Sequence, residues 1–187
     1  MALASPGSGA KHCTMLGSRA LALFLVLLPA LAAALPACSE PSAAVLGFTL
    51  IDTSTEGDIF GPRADETARI DMLGRRLEEA FEAQGYTVVD VAPVAERVAE
   101  VLNIARSNGL DAKLARELGA DLAVTGEVQK VSNLIITMNV IVRRAADGAV
   151  LRAGNADIRS NTDRSWTRGL DYVLENRIFD GGPIAPD

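Results

Sequence analysis

Between Leu118 and Arg159 the chain alternates apolar and polar residues through three strand-length runs, and a sheet is the structure that suits this period. In the first run Leu122, Val124, Gly126 and Val128 fall on one parity, and Ala123, Thr125, Glu127 and Gln129 on the other. In the second, Leu134, Ile136, Met138, Val140 and Val142 alternate with Ile135, Thr137, Asn139, Ile141 and Arg143. Successive side chains of a strand point to opposite faces, so each run is apolar on one side and largely polar on the other. Ser132-Asn133 supplies one turn, and Asp147-Gly148 is a strong hairpin signal for the next. The expected unit is an antiparallel meander.

Upstream, Ala43 to Ile51 is apolar on both parities, as befits a central strand covered on both faces. Asp52 to Pro62 reads as a polar, glycine-containing loop. Asp65 to Gln84 has the helical stripe Ile70, Leu73, Leu77, Ala80 and Phe81, acids at its start and Gly85 as its stop. Tyr86 to Val91 predicts a second strand. Pro93 opens a helix to about Ser107, with Val94, Val98, Val101, Leu102 and Ala105 as its buried side. Asp111 caps a short helix, Ala112 to Leu118, which Gly119 closes. After the meander, Asn161 or Thr162 caps a last helix with Trp166, Leu170, Val173, Leu174 and Ile178 on one side. The predicted fold is therefore α/β, a single domain over 43–180 in the order β-α-β-α-α-β-β-β-α. Its mixed sheet has about five strands, an antiparallel C-terminal section and helices packed on it. Residues 39–42 are the expected linker, and 181–187 a flexible tail.

Residues 1–38 read as a secretory signal: Arg19 lies in a short basic region, an apolar run spans Ala20 to Leu28, and small residues follow. Met15 would open a more ordinary signal, which leaves 1–14 as a candidate upstream start-site artefact. Leu35-Pro36-Ala37-Cys38 resembles a lipobox, with Pro36 off-pattern. Two outcomes stand open: lipidation of Cys38, or an ordinary cut after Ala34 or Ala37. With one cysteine left after Cys13, no disulfide can form within the mature chain, and stability rests on the core. The leader contains Lys11 and Arg19 and no acid, so the remainder carries 24 acids against 16 bases, a formal charge of −8. That balance argues against nucleic-acid binding.

The one histidine, His12, lies in the leader, so the mature domain has none for a Ser-His-Asp or Cys-His mechanism or a histidine-ligated metal. No phosphate loop and no dinucleotide fingerprint is present. Three polar groups remain. Asp52, Ser54, Glu56 and Asp58 follow a buried strand and alternate oxygens as calcium loops do, but lack the full ligand set; a solvated loop is the plainer reading. Lys130, beside the Ser132-Asn133 turn, lies on the apolar parity at a strand end; an amine of lowered pKa there would serve as base or nucleophile, and the plainer reading is a stem packed along the sheet edge with its amine in water. Asp157, Arg159, Asn161 and Asp163 combine an expected Asp157–Arg159 ion pair with helix-capping chemistry, and Trp166 aligns with the core.

Asp52-Thr53-Ser54, the run from Leu118-Gly119-Ala120-Asp121 through Thr125 to Leu134, and Asp157 to Trp166 together resemble an uncharacterised family of secreted bacterial proteins, a domain of unknown function of the 3280/2380 type. The resemblance spans residues 43–178. It implies export and carries no activity. The family's cysteine pair ahead of the Leu118 stretch has no counterpart in Ser107 to Asp111, so no redox or metal role tied to that pair is implied. More loosely, the element order is similar to the amino-terminal domain of the TolB translocation protein and to the curli-secretion lipoprotein class, which are assembly and interaction modules.

The resulting expectation is a non-enzymatic exported envelope protein, periplasmic or secreted, that binds another envelope protein. Its contact surface would be the polar sheet face: Thr125, Glu127, Gln129, Thr137, Asn139, Asn155 and Asp157. No cofactor is expected, and membrane contact comes only through a lipid on Cys38. The alternatives are a small-molecule or metal-binding accessory domain using the Asp52 loop, and a carboxylate-dependent hydrolase using Glu127 and Asp157.

Overall fold

A computed structural model of the chain describes residues 40–186. The expected signal peptide and Cys38 lie outside the described residues. The strands are β1 (Ser42–Asp52), β2 (Thr87–Val88), β3 (Leu122–Ser132), β4 (Ile135–Arg144) and β5 (Val150–Ile158). The helices are α1 (Thr55–Phe60), α2 (Ala64–Ala83), α3 (Ala95–Ala99), α4 (Leu110–Glu117) and α5 (Asp163–Val173), the last running on into a π turn, Leu174–Ile178. They form one mixed α/β unit with a five-stranded sheet in the order β2-β1-β3-β4-β5. β1 is parallel to both β2 and β3, and β3-β4-β5 is the antiparallel meander.

Both strand periodicity and helix faces build the core. α2 and α5 cover one sheet face, where Leu73, Leu77 and Phe81 meet Val124, Val128, Met138 and Val140, and Trp166 and Leu170 close the far side. On the second face α4 and the connector before it cover only β1 and β3, through Leu46, Ile104, Leu114 and Ala123. The second face of β4 and β5 is left open, with Asn155 and Asp157 exposed.

A bulge decides which face the end of β1 presents. Val45 pairs with Val124, but the next pair is Phe48 with Gly126, so β1 carries one extra residue there. Gly47, at φ 80°, takes the left-handed conformation that the bulge needs. Ala43 and Val45 face the α2 side before the bulge; Phe48, Leu50 and Asp52 face it afterwards. Without the extra residue Asp52 would point to the other face.

Local structure departs from the sequence expectations in five places. The loop 52–62 contains α1, because the Ser54 hydroxyl caps it by accepting the Gly57 N–H at 3.1 Å. The second strand shrinks to Thr87–Val88: it pairs only with the start of β1, and Asp90 then turns the chain by accepting the Ala92 N–H at 2.9 Å. The helix expected over 93–107 is broken into a 3-10 turn (Ala92–Val94), α3 and a second 3-10 turn (Ile104–Arg106), leaving Leu102 88% exposed. Asn103 ends it, since its side chain caps the second turn at the Ala105 N–H. The first meander turn sits at Asn133-Leu134, one residue later than expected, after a register shift between Lys130 and Ser132. The C-terminal segment docks at Ile184, which is buried and whose carbonyl accepts from the Tyr86 hydroxyl at 2.9 Å.

Candidate functional site

Lys130 lies on the helix-covered face of β3 and is fully buried, not splayed along the sheet edge. The bulge at Gly47 brings Asp52 opposite it, and the first turn of α2 places Glu66 above it. The Lys130 Nζ lies 2.7 Å from Glu66 Oε1, 3.1 Å from Asp52 Oδ2 and 3.8 Å from Glu56 Oε2. A buried ammonium needs such partners, because desolvation of an unpaired charge costs several kcal/mol. Burial pushes the amine's pKa down, but the hydrogen bonds to Glu66 and Asp52 outweigh it and hold the group above the ordinary lysine range.

Around that ion the polar residues singled out in the sequence come together. Asp52 Oδ1 accepts from both the N–H and the hydroxyl of Ser54, at 2.9 and 2.6 Å. Burial raises the Asp52 carboxyl, and the Ser54 and Lys130 contacts more than reverse this, leaving it below its usual range. Asn133 donates to Glu56 at 2.8 Å, and Asn161 donates to Glu66 at 2.6 Å and to Asn133 at 2.9 Å. Asp163 joins through Arg69, 2.7 Å away, whose guanidinium also lies over the Trp166 ring. Asp58, Asp157 and Arg159 stand apart and are exposed; Asp157 accepts from Thr137 at 3.2 Å and does not form the expected ion pair with Arg159.

The network therefore ties the end of β1, α1, the starts of α2 and α5 and the β3–β4 hairpin to one buried amine. Every acid of the Asp52 loop that points inward is already held by an internal donor, and among the described residues no group of three or more His, Cys, Asp or Glu is arranged to hold a metal ion. Sequence reasoning missed Glu66, Arg63 and Arg69; Glu66 counted only among the acids at the start of the predicted helix. Arg63 bridges Glu56 at 2.7 Å and Asp65 at 3.0 Å, and its hydrogen bond draws the Asp65 carboxyl down to about 2.

The polar sheet face is divided. Thr125 and Glu127 are buried under the connector, while Gln129, Thr137 and Asn139 are half-buried and Asn155 and Asp157 exposed. Arg106 grips Glu127 with Nε and Nη2 at 2.7 and 2.8 Å, and Asn103 and Asn139 donate to the same carboxylate. Burial raises that carboxyl, but the Arg106 and Asn103 hydrogen bonds prevail and hold it below the usual glutamate range. A carboxylate kept ionised by four donors is ill suited to general-acid work. Glu127 pairs across to Asn139 and Asp157 to Thr137, so the two do not face one another. Beside them a cleft of about 570 Å³ opens, with Asn108, Asn139, Asn155 and Arg143 on its walls.

One feature of the hairpin end carries no polar chemistry. Ile59 and Phe60 of α1 and Val131, Leu134 and Ile135 of the hairpin are all exposed, Phe60 by 78% and Leu134 by 67%. The Asn133–Glu56 bond holds the two elements together at this end of the sheet. An Ile-Phe pair inside an otherwise polar loop was the signal available in the sequence.

No curated protein matches the chain. Among solved structures, the LpoB C-terminal domain from Salmonella enterica is similar at 13% identity and a TM-score of 0.45, over 67% of this chain and 87% of that one. Lipoprotein GNA1162 from Neisseria meningitidis matches at 20% identity and a TM-score of 0.45, over 73% and 95%. The PelC dodecamer from Paraburkholderia phytofirmans matches at 14% and 0.38, over 72% and 84%. The family model DUF3280, described as "Protein of unknown function (DUF2380)", matches residues 41–178, and the chain belongs to that family.

Proposed function

We propose that this chain is an exported bacterial envelope accessory protein that works by binding another protein, without catalysis. The observation that carries the reading is the apolar end of the sheet: Ile59, Phe60, Val131, Leu134 and Ile135 exposed together on an acidic domain. Large apolar side chains gathered at one place on a soluble surface mark an interaction site. A lipid surface suits this end poorly. The chain enters β1 at Ser42, at the opposite end of an 11-residue strand and roughly 30 Å from this end, so a tether ahead of Ser42 joins the domain away from it. Of the acids near the apolar end, Glu56, Asp65 and Asp163 are paired with Arg63 or Arg69, so charge there is largely balanced and offers no basic patch to draw anionic headgroups. A protein that offers an apolar knob is the complementary partner.

The test uses the full chain expressed in its envelope, with Phe60→Asp and Leu134→Asp. Both variants should keep the wild-type Tm and lose the co-purifying protein. A partner retained by both variants would overturn the docking surface. Intact mass of the mature chain reports, in the same preparation, whether Cys38 bears acyl chains. Among the described residues no helix is long and apolar enough to cross a membrane.

A second reading, a small-molecule accessory role, draws on the cleft beside Asn139 and Asn155 and no longer on the Asp52 loop, whose inward acids are occupied. Ligand addition that leaves Tm unmoved across a metabolite panel counts against it, because binding to the native state must stabilise it.

A further inference from the structure

β5 is the outer strand of the sheet, nine residues long and without proline or lysine; its one bulge, at Leu151, lies near its start and leaves Arg152 to Ile158 as a regular edge. α5 and its π turn lie close over one face of it. Gly154 sits directly beneath Arg177, and Gly169 lies against Ile158, so neither position has room for a Cβ. Along the margin between strand and helix runs a groove of about 530 Å³, walled by Asp157 and Arg159 on the strand side and Arg168, Tyr172 and Arg177 on the helix side.

Arg63, Arg69, Arg76, Arg97, Arg106 and Arg143 each pair with a carboxylate. Arg159, Arg168 and Arg177 are exposed and make no side-chain hydrogen bond or ion pair among the described residues. Arg75, Lys113, Arg116, Arg152 and Arg164 also make no ion pair among the described residues, so what sets this groove apart is that three unpaired arginines share it. Three guanidinium groups with free donors therefore line one groove of a protein with excess acid, beside a strand whose outer edge is unpaired. Tyr172, 47% exposed, offers an amphipathic ring between them.

We propose that this groove receives an extended acidic segment of a partner protein, which adds to β5 as a sixth strand while its carboxylates engage Arg159, Arg168 and Arg177. Main-chain pairing to an edge strand supplies affinity, and alternate side chains reaching the groove wall supply selectivity. Guanidinium groups suit carboxylates through paired, charge-assisted hydrogen bonds. A second copy of this chain is a poor occupant, since pairing through its own β5 would bring Arg152 and Arg159, and no run of carboxylates, against these arginines. A polyanion without a peptide backbone would neutralise the arginines and leave the strand edge unpaired. The site uses none of the apolar residues at the hairpin end, so either surface can fail without the other.

The probe is a blocked decapeptide of alternating Glu and Val, titrated against the full-length mature chain at low salt. Expected are saturable binding, slowed amide exchange within residues 150–158, and affinity reduced about tenfold or more in Arg168→Glu/Arg177→Glu at an unchanged Tm. Leu134→Asp, which disables the apolar end, should leave peptide affinity as it was. Equal binding of the same peptide N-methylated at alternate residues would overturn strand addition. Equal binding of a Lys-Val peptide would overturn the role of the arginines, and so would displacement by polyphosphate without recovery of β5 exchange. No binding of the Glu-Val peptide, or a dimer that the Arg168→Glu/Arg177→Glu variant abolishes, would overturn the proposal outright.

Discussion

Lys130 and Glu66 form an ion pair wholly out of water: both residues are 0% exposed, with Nζ 2.7 Å from Oε1. Such a pair is poorly replaced by half of itself. Lys130→Met should destabilise the domain by about 3–5 kcal/mol, because Glu66 is left charged and buried. Glu66→Met on its own removes the amine's nearest partner but leaves it Asp52 at 3.1 Å, so it should cost less than Lys130→Met. The double variant Lys130→Met/Glu66→Met should recover most of the loss, since two well-packed apolar chains remove both desolvation costs. Urea denaturation of the three variants checks this, with the single tryptophan, buried Trp166, as the reporter. Additive losses in the double variant would contradict the coupling.

The same contacts set the pH range of stability. Asp52 and Glu127 have folded values below their ordinary 3.8 and 4.5, so their stabilisation is complete above those values and is lost as pH falls through the lower folded ones. Lys130 is raised above 10.5, so its contribution is present below that value and disappears as pH rises through the higher folded one. Stability should be level between about pH 6 and 9 and fall at both ends. Glu127→Gln should be less stable than wild type at pH 7, and the two should converge as pH falls through the lowered folded value of Glu127. A gap that persists at pH 2 would show that Glu127 acts through packing and not through its charge.

Much of the fold was legible because its signals are local. Period two over residues 122–143 and the Asp147-Gly148 turn foretold the meander, and Trp166, Leu170 and Val173 foretold the buried side of α5. What could not be read depends on distant partners. The parity of Lys130 was visible, but its depth is decided by Glu66, 64 residues earlier in the chain. Glu127 belongs to an alternating polar face, yet it is buried because Asn103 leaves helical geometry and Arg106 reaches down to it. Helix propensity over 93–107 loses there to a tertiary hydrogen-bond set. The one-residue bulge at Gly47, which delivers Asp52 to the cluster, leaves only a glycine in an apolar run as its trace.

Phe48 and Gly126 supply a third prediction. They are register partners, and a Cβ at Gly126 would land in the Phe48 ring. Gly126→Ala should cost about 1–3 kcal/mol by overpacking, and Phe48→Leu should cost less than about 2 kcal/mol. Combining them should relieve the clash, so that the double variant is more stable than the sum of the singles requires. Strict additivity in Tm would mean that the ring is free to move aside.

The connector over β3 is held by one forked contact, and its chemistry can be separated from its charge. Arg106 is largely exposed, yet it meets both oxygens of buried Glu127, and Asn103 donates to the same carboxylate from the same turn. Arg106→Ala should leave the core intact and loosen only residues 103–106, whose amide exchange should rise on the order of tenfold while that of α2 and β4 stays unchanged. Arg106→Lys keeps the charge but cannot form two parallel bonds, so it should restore little of the protection. Full protection in the lysine variant would mean that simple attraction holds the connector down. Because the connector also forms one wall of the cleft beside Asn139, the alanine variant should enlarge that cleft and leave peptide binding at β5 as it was. A change in β5 affinity on loosening residues 103–106 would instead tie the two surfaces together through the sheet.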